Sequence, residues 1–210
     1  MKQIEINTLL KKASGVKLDL GCGASKQQGF IGIDARALPG VDIVHDLEKF
    51  PWPLPDECAI FAMSSHVLEH INPGRVPPQV SSLINLLLKK KILTKKEVED
   101  EIGETDSGNI FVRFMDEVWR VLKPGSQFAI SMPYGGSSGY MQDPTHINQR
   151  NKDTWCYFDP LDPSGLYYIY RPLPWKIIAR SYFLEGNMEI ILEKRLIDSS
   201  YKVLSKIPTE

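Results

Sequence analysis

Short apolar runs alternate with polar breaks through the first third of the chain. Val16–Leu20, Phe30–Ile33, Val41–Val44 and Ala59–Met63 each read as a buried strand. Each run is followed by or ends in Gly, Asp, His or Ser, as strands do where an open parallel sheet presents polar groups at its carboxyl edge. Val67–Ile71 begins a helical pattern that stops near Asn72-Pro73-Gly74. Phe111–Leu122 places Phe111, Phe114, Val118, Val121 and Leu122 on one side of a helix, which Lys123-Pro124-Gly125 ends. Gln127–Met132 reads as a fifth strand. The stretch "KIIARSYFLEGNMEIILEKRL" is two strand-like runs around Glu185-Gly186-Asn187, a hairpin signal.

Strands alternating with helices, then a terminal hairpin, predict an α/β fold. It is Rossmann-like and doubly wound, a mostly parallel sheet with a C-terminal antiparallel hairpin. Residues 75–109 break the alternation. Their pattern is a helical hairpin inserted after the fourth strand, with Thr94 and Glu97 as a capping box for its second helix.

Composition narrows this only a little. The 210 residues, 42% hydrophobic and 24% charged, suit one domain carrying that insertion. A formal net charge of -1 gives no strong basic field for nucleic acid or a membrane surface. Three cysteines without paired spacing point to a reducing, cytoplasmic setting rather than a disulfide scaffold. The first residues hold no signal-peptide apolar core, and no run is long enough to cross a bilayer.

The candidate chemistry starts at "LDLGCGASKQQGFIGID", residues 18–34. Gly21 and Gly23 match the start of a dinucleotide fingerprint, but its third glycine position is Lys26. Asp34 comes well before the roughly 20-residue spacing of the acidic residue in that fingerprint. Too few residues separate the first two strands for a full helix, so a pyrophosphate has no helix end to sit on. A nucleoside cofactor without phosphates fits instead. Gly21 and Gly23 let a ligand approach the backbone, and Asp34 accepts from both ribose hydroxyls. Asp46 accepts from an adenine amino group, and Asp19 holds an ammonium.

Together "LDLGCG", "GID", "HDLEKFPWPLPDE", "SSHVLEHI" and "VWRVLKPGSQFAISMP" resemble class I S-adenosylmethionine-dependent methyltransferases over residues 16–134, the insertion apart. The departures are the missing first helix and Ser25 where many members carry glycine. The resemblance implies S-adenosylmethionine as cofactor and S-adenosylhomocysteine as product. It implies that Asp19, Gly21 and Gly23 line the methionine end, with Cys22 a small packing residue of the same turn. Asp34 then takes the ribose, Asp46 and Leu47 flank the adenine, and Ser64, Ser65 and His66 border the methyl group and the acceptor.

Methyl transfer from a sulfonium is an in-line displacement, and a base is needed only where the attacking atom loses a proton. His146, in "DPTH", is the first choice of base, with Asp143 orienting it. Against this, Asp143 and Thr145 equally fit a capped turn. His66 is a residue of the site edge. In "SHVLEH" the glutamate adjoins the second histidine rather than the first, unlike H-E-x-x-H, so Glu69 and His70 read as helix anchors and no metal is expected. The aromatics from Trp155 to Trp175 read mainly as core and cover. Lys89, Lys90, Lys91, Lys95 and Lys96 of the insertion fit a solvated face or an acidic partner. Leu83, Ile84, Leu87 and Leu88 fit a lid or a contact with a second copy of the chain. Neither D-P-P-Y nor a Pro-Cys nucleophile is present, so a small-molecule or saccharide-type acceptor is the default, with nucleic acid and protein acceptors left open. The rivals are a non-catalytic, partner-binding member of the fold and a metal-dependent hydrolase.

Overall fold

The computed structural model describes residues 8, 10, 14–73, 78–94, 96–97, 110–183 and 186–197. Seven strands form one sheet: β1 (Val16–Leu20), β2 (Ile31–Asp34), β3 (Ile43–Val44), β4 (Ala59–Ser65), β5 (Leu122–Pro133), β6 (Trp175–Tyr182) and β7 (Asn187–Lys194). Their spatial order is β3-β2-β1-β4-β5-β7-β6. The first five are parallel, and β7 runs antiparallel between β5 and β6. The expected Rossmann-like sheet with a terminal antiparallel hairpin is therefore present. Strand order reverses between β1 and β4, which is where a crevice opens at the carboxyl edge of such sheets.

Helices α1 (Pro78–Lys89) and α2 (Ile110–Val121) both lie between β4 and β5; α3 (Ser138–Met141) and α4 (Tyr167–Tyr170) follow β5. The apolar side of α2, Phe111, Phe114, Met115, Val118 and Val121, is buried. It meets Phe128 and Trp52 through Phe114, with ring centroids 6.4 and 5.2 Å apart. Trp155, Phe158 and Trp175 extend the same layer, so those aromatics are core as expected.

Between β1 and β4 the described residues hold no helix, so turns make the first three crossovers. Among the described residues no helix from that stretch covers the sheet. A hollow of about 350 Å³ lies on it, between Met63 and Ser65 of β4, Ala129 and Ser131 of β5, Ile191 of β7 and Ala179 of β6. Asp42, just before β3, takes over part of the ladder's work: its Oδ2 accepts from Gly32 N (2.9 Å) and pairs with Lys26 Nζ (2.6 Å).

Two boundaries differ from the sequence reading. The helix expected over Val67–Ile71 is a single turn, closed by His70 N to Val67 O (2.9 Å) and Ile71 N to Leu68 O (3.3 Å). Its next acceptor, the Glu69 carbonyl, is already taken by the amides of Ile147 and Asn148, both at 3.0 Å. β5 starts directly after α2, and Lys123-Pro124-Gly125 bulge out between the pairs Ala59–Leu122 and Phe61–Gln127. In the insertion, α1 is the first expected helix. The capping box is formed, Thr94 N donating to Glu97 Oε2 (2.7 Å) and Glu97 N to Thr94 Oγ1 (3.2 Å). Residues 98–109, over which the second helix of the insertion is expected, lie outside the described residues, as does Lys95. Lys89, Lys90, Lys91 and Lys96 are exposed; Ile84 is buried, whereas Leu83 stands 54% exposed.

Candidate functional site

Parallel pairing sets Leu20 beside Ile33 and Ser64, so the turns after β1, β2 and β4 meet at one edge. The amides of Gly21 and Cys22 both donate to Ile33 O, at 2.8 and 3.1 Å, which folds the chain tightly back over β2. Gly21 is required there twice over. Its φ is +73°, and a Cβ would overlap a γ-methyl of Val67. Gly23 differs: its φ is +54°, but no atom lies within 4 Å of where a Cβ would be. Open space thus faces the backbone at Gly23 alone of the two.

Asp34 ends β2 beside that space. Its Oδ2 accepts from Gly23 N at 2.9 Å, and its Oδ1 from Arg36 N at 2.9 Å and Arg36 Nε at 3.4 Å. Burial pushes this carboxyl up, but the bonds from the Arg36 and Gly23 amides and the Arg36 guanidinium outweigh it and hold it below its ordinary value. A carboxylate offers about four lone-pair sites, so one acceptor position is left, and a second opens if the exposed Arg36 side chain swings away. Asp19 is buried at the end of β1 and accepts from Gln27 N at 2.8 Å. Burial raises it above the usual carboxylate range, against the pull of the Gln27 amide and Lys26. Cys22 packs where a Gly32 side chain would be, with its Sγ 2.6 Å from that would-be Cβ. Burial first, then the charges of Asp19 and Asp34, push its thiol up to about 11.

After β3, Asp46 Oδ1 accepts from Glu48 N (3.0 Å) and its carbonyl from Lys49 N (2.9 Å). Leu47 is buried in the core, its carbonyl accepting from Trp52 Nε1 at 3.1 Å. These two residues build a turn at the carboxyl end of β3. Ser64 is buried with a hydroxyl that finds no partner, and Ser65 is exposed.

The loop after β5 completes the edge. It passes so close to itself that a Cβ on Gly135 would collide with the Arg150 carbonyl. Gly135 N donates to that carbonyl at 2.7 Å, and the buried Asn148 donates its Nδ2 to Leu68 O at 2.8 Å. These bonds press residues 143–148 onto the turn after β4. His146 consequently lands against Glu69 and His70, with the two imidazole centroids 4.8 Å apart. His146 Nδ1 donates to Tyr140 O at 2.9 Å. Its Nε2 faces Asp143 Oδ2 at 3.7 Å and Glu69 Oε1 at 3.9 Å, and only 7% of the side chain is exposed. Asp143 Oδ1 accepts from the amide and hydroxyl of Thr145, at 2.8 and 2.7 Å, so the capped turn also exists. His66, at φ +56°, is 50% exposed; its Nδ1 stands 3.2 Å from Glu69 Oε1 and its Nε2 3.1 Å from Asn187 Nδ2.

Glu69 is the residue that the sequence undervalued. It is wholly buried, and neither carboxylate oxygen accepts a hydrogen bond. The spacing in "SHVLEH" places it near His66, but nothing in the sequence signals that "DPTH" folds back onto it. Two groups result: Asp19, Gly21, Gly23 and Asp34 over β1 and β2, and His66, Glu69, His70, Asp143 and His146 over β4 and β5. Val67, packed on Gly21 and next to His66, joins them.

No family model and no curated protein matches the chain. Among solved structures it is similar to an S-adenosylmethionine-dependent methyltransferase from Archaeoglobus fulgidus, at 16% identity over 91% of this chain and 91% of that one, with a TM-score of 0.47. A second such methyltransferase, from Mesorhizobium loti, is 14% identical over 90% of this chain and 96% of that one, with a TM-score of 0.46. The [4+2]-cyclase SpnF is 13% identical over 92% of this chain and 80% of that one, with a TM-score of 0.47. At these scores the likeness adds nothing to the strand order described above.

Proposed function

We propose that the chain binds S-adenosylmethionine over the carboxyl edge of β1 and β2 and transfers its methyl group to a small-molecule or saccharide-type acceptor. The observation that carries this reading is the open space at Gly23 facing the carboxylate of Asp34. The residues present fit a nucleoside without phosphates. The crossover after β1 has no helix to cradle a pyrophosphate, Asp34 keeps acceptor capacity for a ribose hydroxyl, and the buried Asp19 supplies a carboxylate at the methionine end.

When bound, the cofactor supplies an electrophilic methyl on a positively charged sulfur. The chain holds the pieces in line. The Gly21–Gly23 turn sets how closely the ligand meets the backbone, Asp34 anchors its sugar, and the turn of Asp46 and Leu47 borders its base. Ser64, Ser65 and His66 line the side from which the acceptor arrives. Alignment of this kind supplies much of the rate in a displacement. Where the acceptor is a hydroxyl, its proton goes to an imidazole. His66 is better placed than His146 for that, because half of its side chain is open, while His146 is nearly enclosed. The buried carboxylate of Glu69, 3.2 Å from His66 Nδ1, stabilises the imidazolium that forms.

Isothermal calorimetry with S-adenosylhomocysteine tests the reading. Micromolar binding is expected, lost in Gly23→Arg and Asp34→Ala with the fold retained by circular dichroism. Unchanged affinity in both variants would remove the pocket. Binding without methyl consumption across acceptor pools would instead favour a non-catalytic member of the fold.

A further inference from the structure

We propose that Glu69, His70 and His146 form a binding site for one divalent transition-metal ion of the zinc type. One ligand atom from each lies within 4.8 Å of the other two. A tetrahedral ion with bonds of about 2.1 Å holds its ligand atoms about 3.4 Å apart, and Glu69 Oε1 already stands 3.9 Å from His146 Nε2. The adjustment needed is a side-chain rotation.

The state of Glu69 is the independent reason. A carboxylate with no solvent contact and no hydrogen bond to either oxygen is costly unless a cation sits beside it. The nearby imidazoles do not meet that need by hydrogen bonding: His66 Nδ1 is close, at 3.2 Å, but out of line. The rings are instead set as metal ligands are. His146 donates Nδ1–H to Tyr140 O, and His70 Nδ1 faces Thr145 O at 3.3 Å, which leaves Nε2 of each ring as a lone pair. An imidazole that gives its other N–H to a backbone carbonyl is the common outer support of a metal-bound histidine.

The donor set selects the ion. One carboxylate and two imidazoles suit zinc, cobalt or iron, whereas magnesium and calcium want oxygens. Three protein ligands leave a tetrahedral ion one position for water or for an oxygen of a bound molecule. The site is also held before any ion arrives, because Ile147, Asn148 and Leu68 lock the two chain segments together through the backbone. This inference does not depend on methyl transfer.

The test uses the full chain stripped with a chelator, then titrated with Zn²⁺ by calorimetry and with Co²⁺ by its visible absorption. One ion per chain is expected, with the intense bands of a four-coordinate cobalt site. His70→Ala, at an exposed position, and Glu69→Gln should each weaken binding by about 100-fold or more, beyond the loss for an outer support. His45→Ala, whose ring bonds Lys49 O, should bind as the parent does. Thermal unfolding without metal identifies any variant that has lost its fold. Absence of saturable Zn²⁺ and Co²⁺ uptake, or undiminished uptake in folded His70→Ala, would overturn the site. S-adenosylhomocysteine binding by the stripped protein reports on the proposed function separately.

Discussion

Gly21 and Gly23 sit two residues apart with similar positive φ, yet they answer to different constraints. Gly21 is fixed by packing against Val67 as well as by its backbone, whereas Gly23 is fixed by its backbone alone. Gly21→Ala should therefore cost about 2–4 kcal/mol in urea unfolding, and Gly23→Ala about 1 kcal/mol. Equal losses would contradict the packing difference. Asp116 of α2 gives a pH signature. Burial pushes its carboxyl up to about 7, against the pull of the Leu173 amide at 3.2 Å. A raised acid favours the folded state while it is protonated, so its contribution is complete below about pH 4 and is lost as pH rises towards 7. Asp116→Asn should leave stability at pH 4 nearly unchanged and raise it at pH 8 by about 1–2 kcal/mol, after allowing for partial solvent contact. Denaturant midpoints at the two pH values check this.

The turn after β4 and the loop after β5 behave as one element, although about 75 residues separate them. Asn148 is the clasp, giving its side chain to Leu68 O and its amide to Glu69 O. Asn148→Ala leaves a buried carbonyl without a partner, a loss of about 1–3 kcal/mol. Hydrogen exchange should then speed up at the amides of Ile147 and Asn148, and unchanged protection there would break the link. The capping box at Thr94 and Glu97 was legible in advance because its two partners are three residues apart. The helix after β4 stops short of its sequence pattern for the opposite reason. Its pattern is helical, but a distant segment captures the carbonyl that would have carried it on.

For the molecule as a whole, among the described residues no helix is long and apolar enough to cross a membrane. Cys22, Cys58 and Cys156 are free and buried. Burial drives the Cys22 and Cys58 thiols up to about 11, helped at Cys22 by the charges of Asp19 and Asp34 and opposed at Cys58 by that of Arg120. In the folded protein these two should resist a thiol reagent at pH 8 and react only on unfolding, since the thiolate is the reactive form. Rapid labelling of either under native conditions would show that the sheet edge opens.

The sequence by itself determined the strands, their parallel pairing with a terminal hairpin, and the glycine turn with its two carboxylates. Those features rest on alternation and on turn chemistry within a few neighbours, and they need no distant partner to be expressed. The tertiary structure decided that Glu69 is buried without a hydrogen bond, that His146 comes to rest beside it, and that Leu47 is core. Each depends on which backbone groups a remote loop finds available, and the order of residues along the chain does not encode that meeting locally.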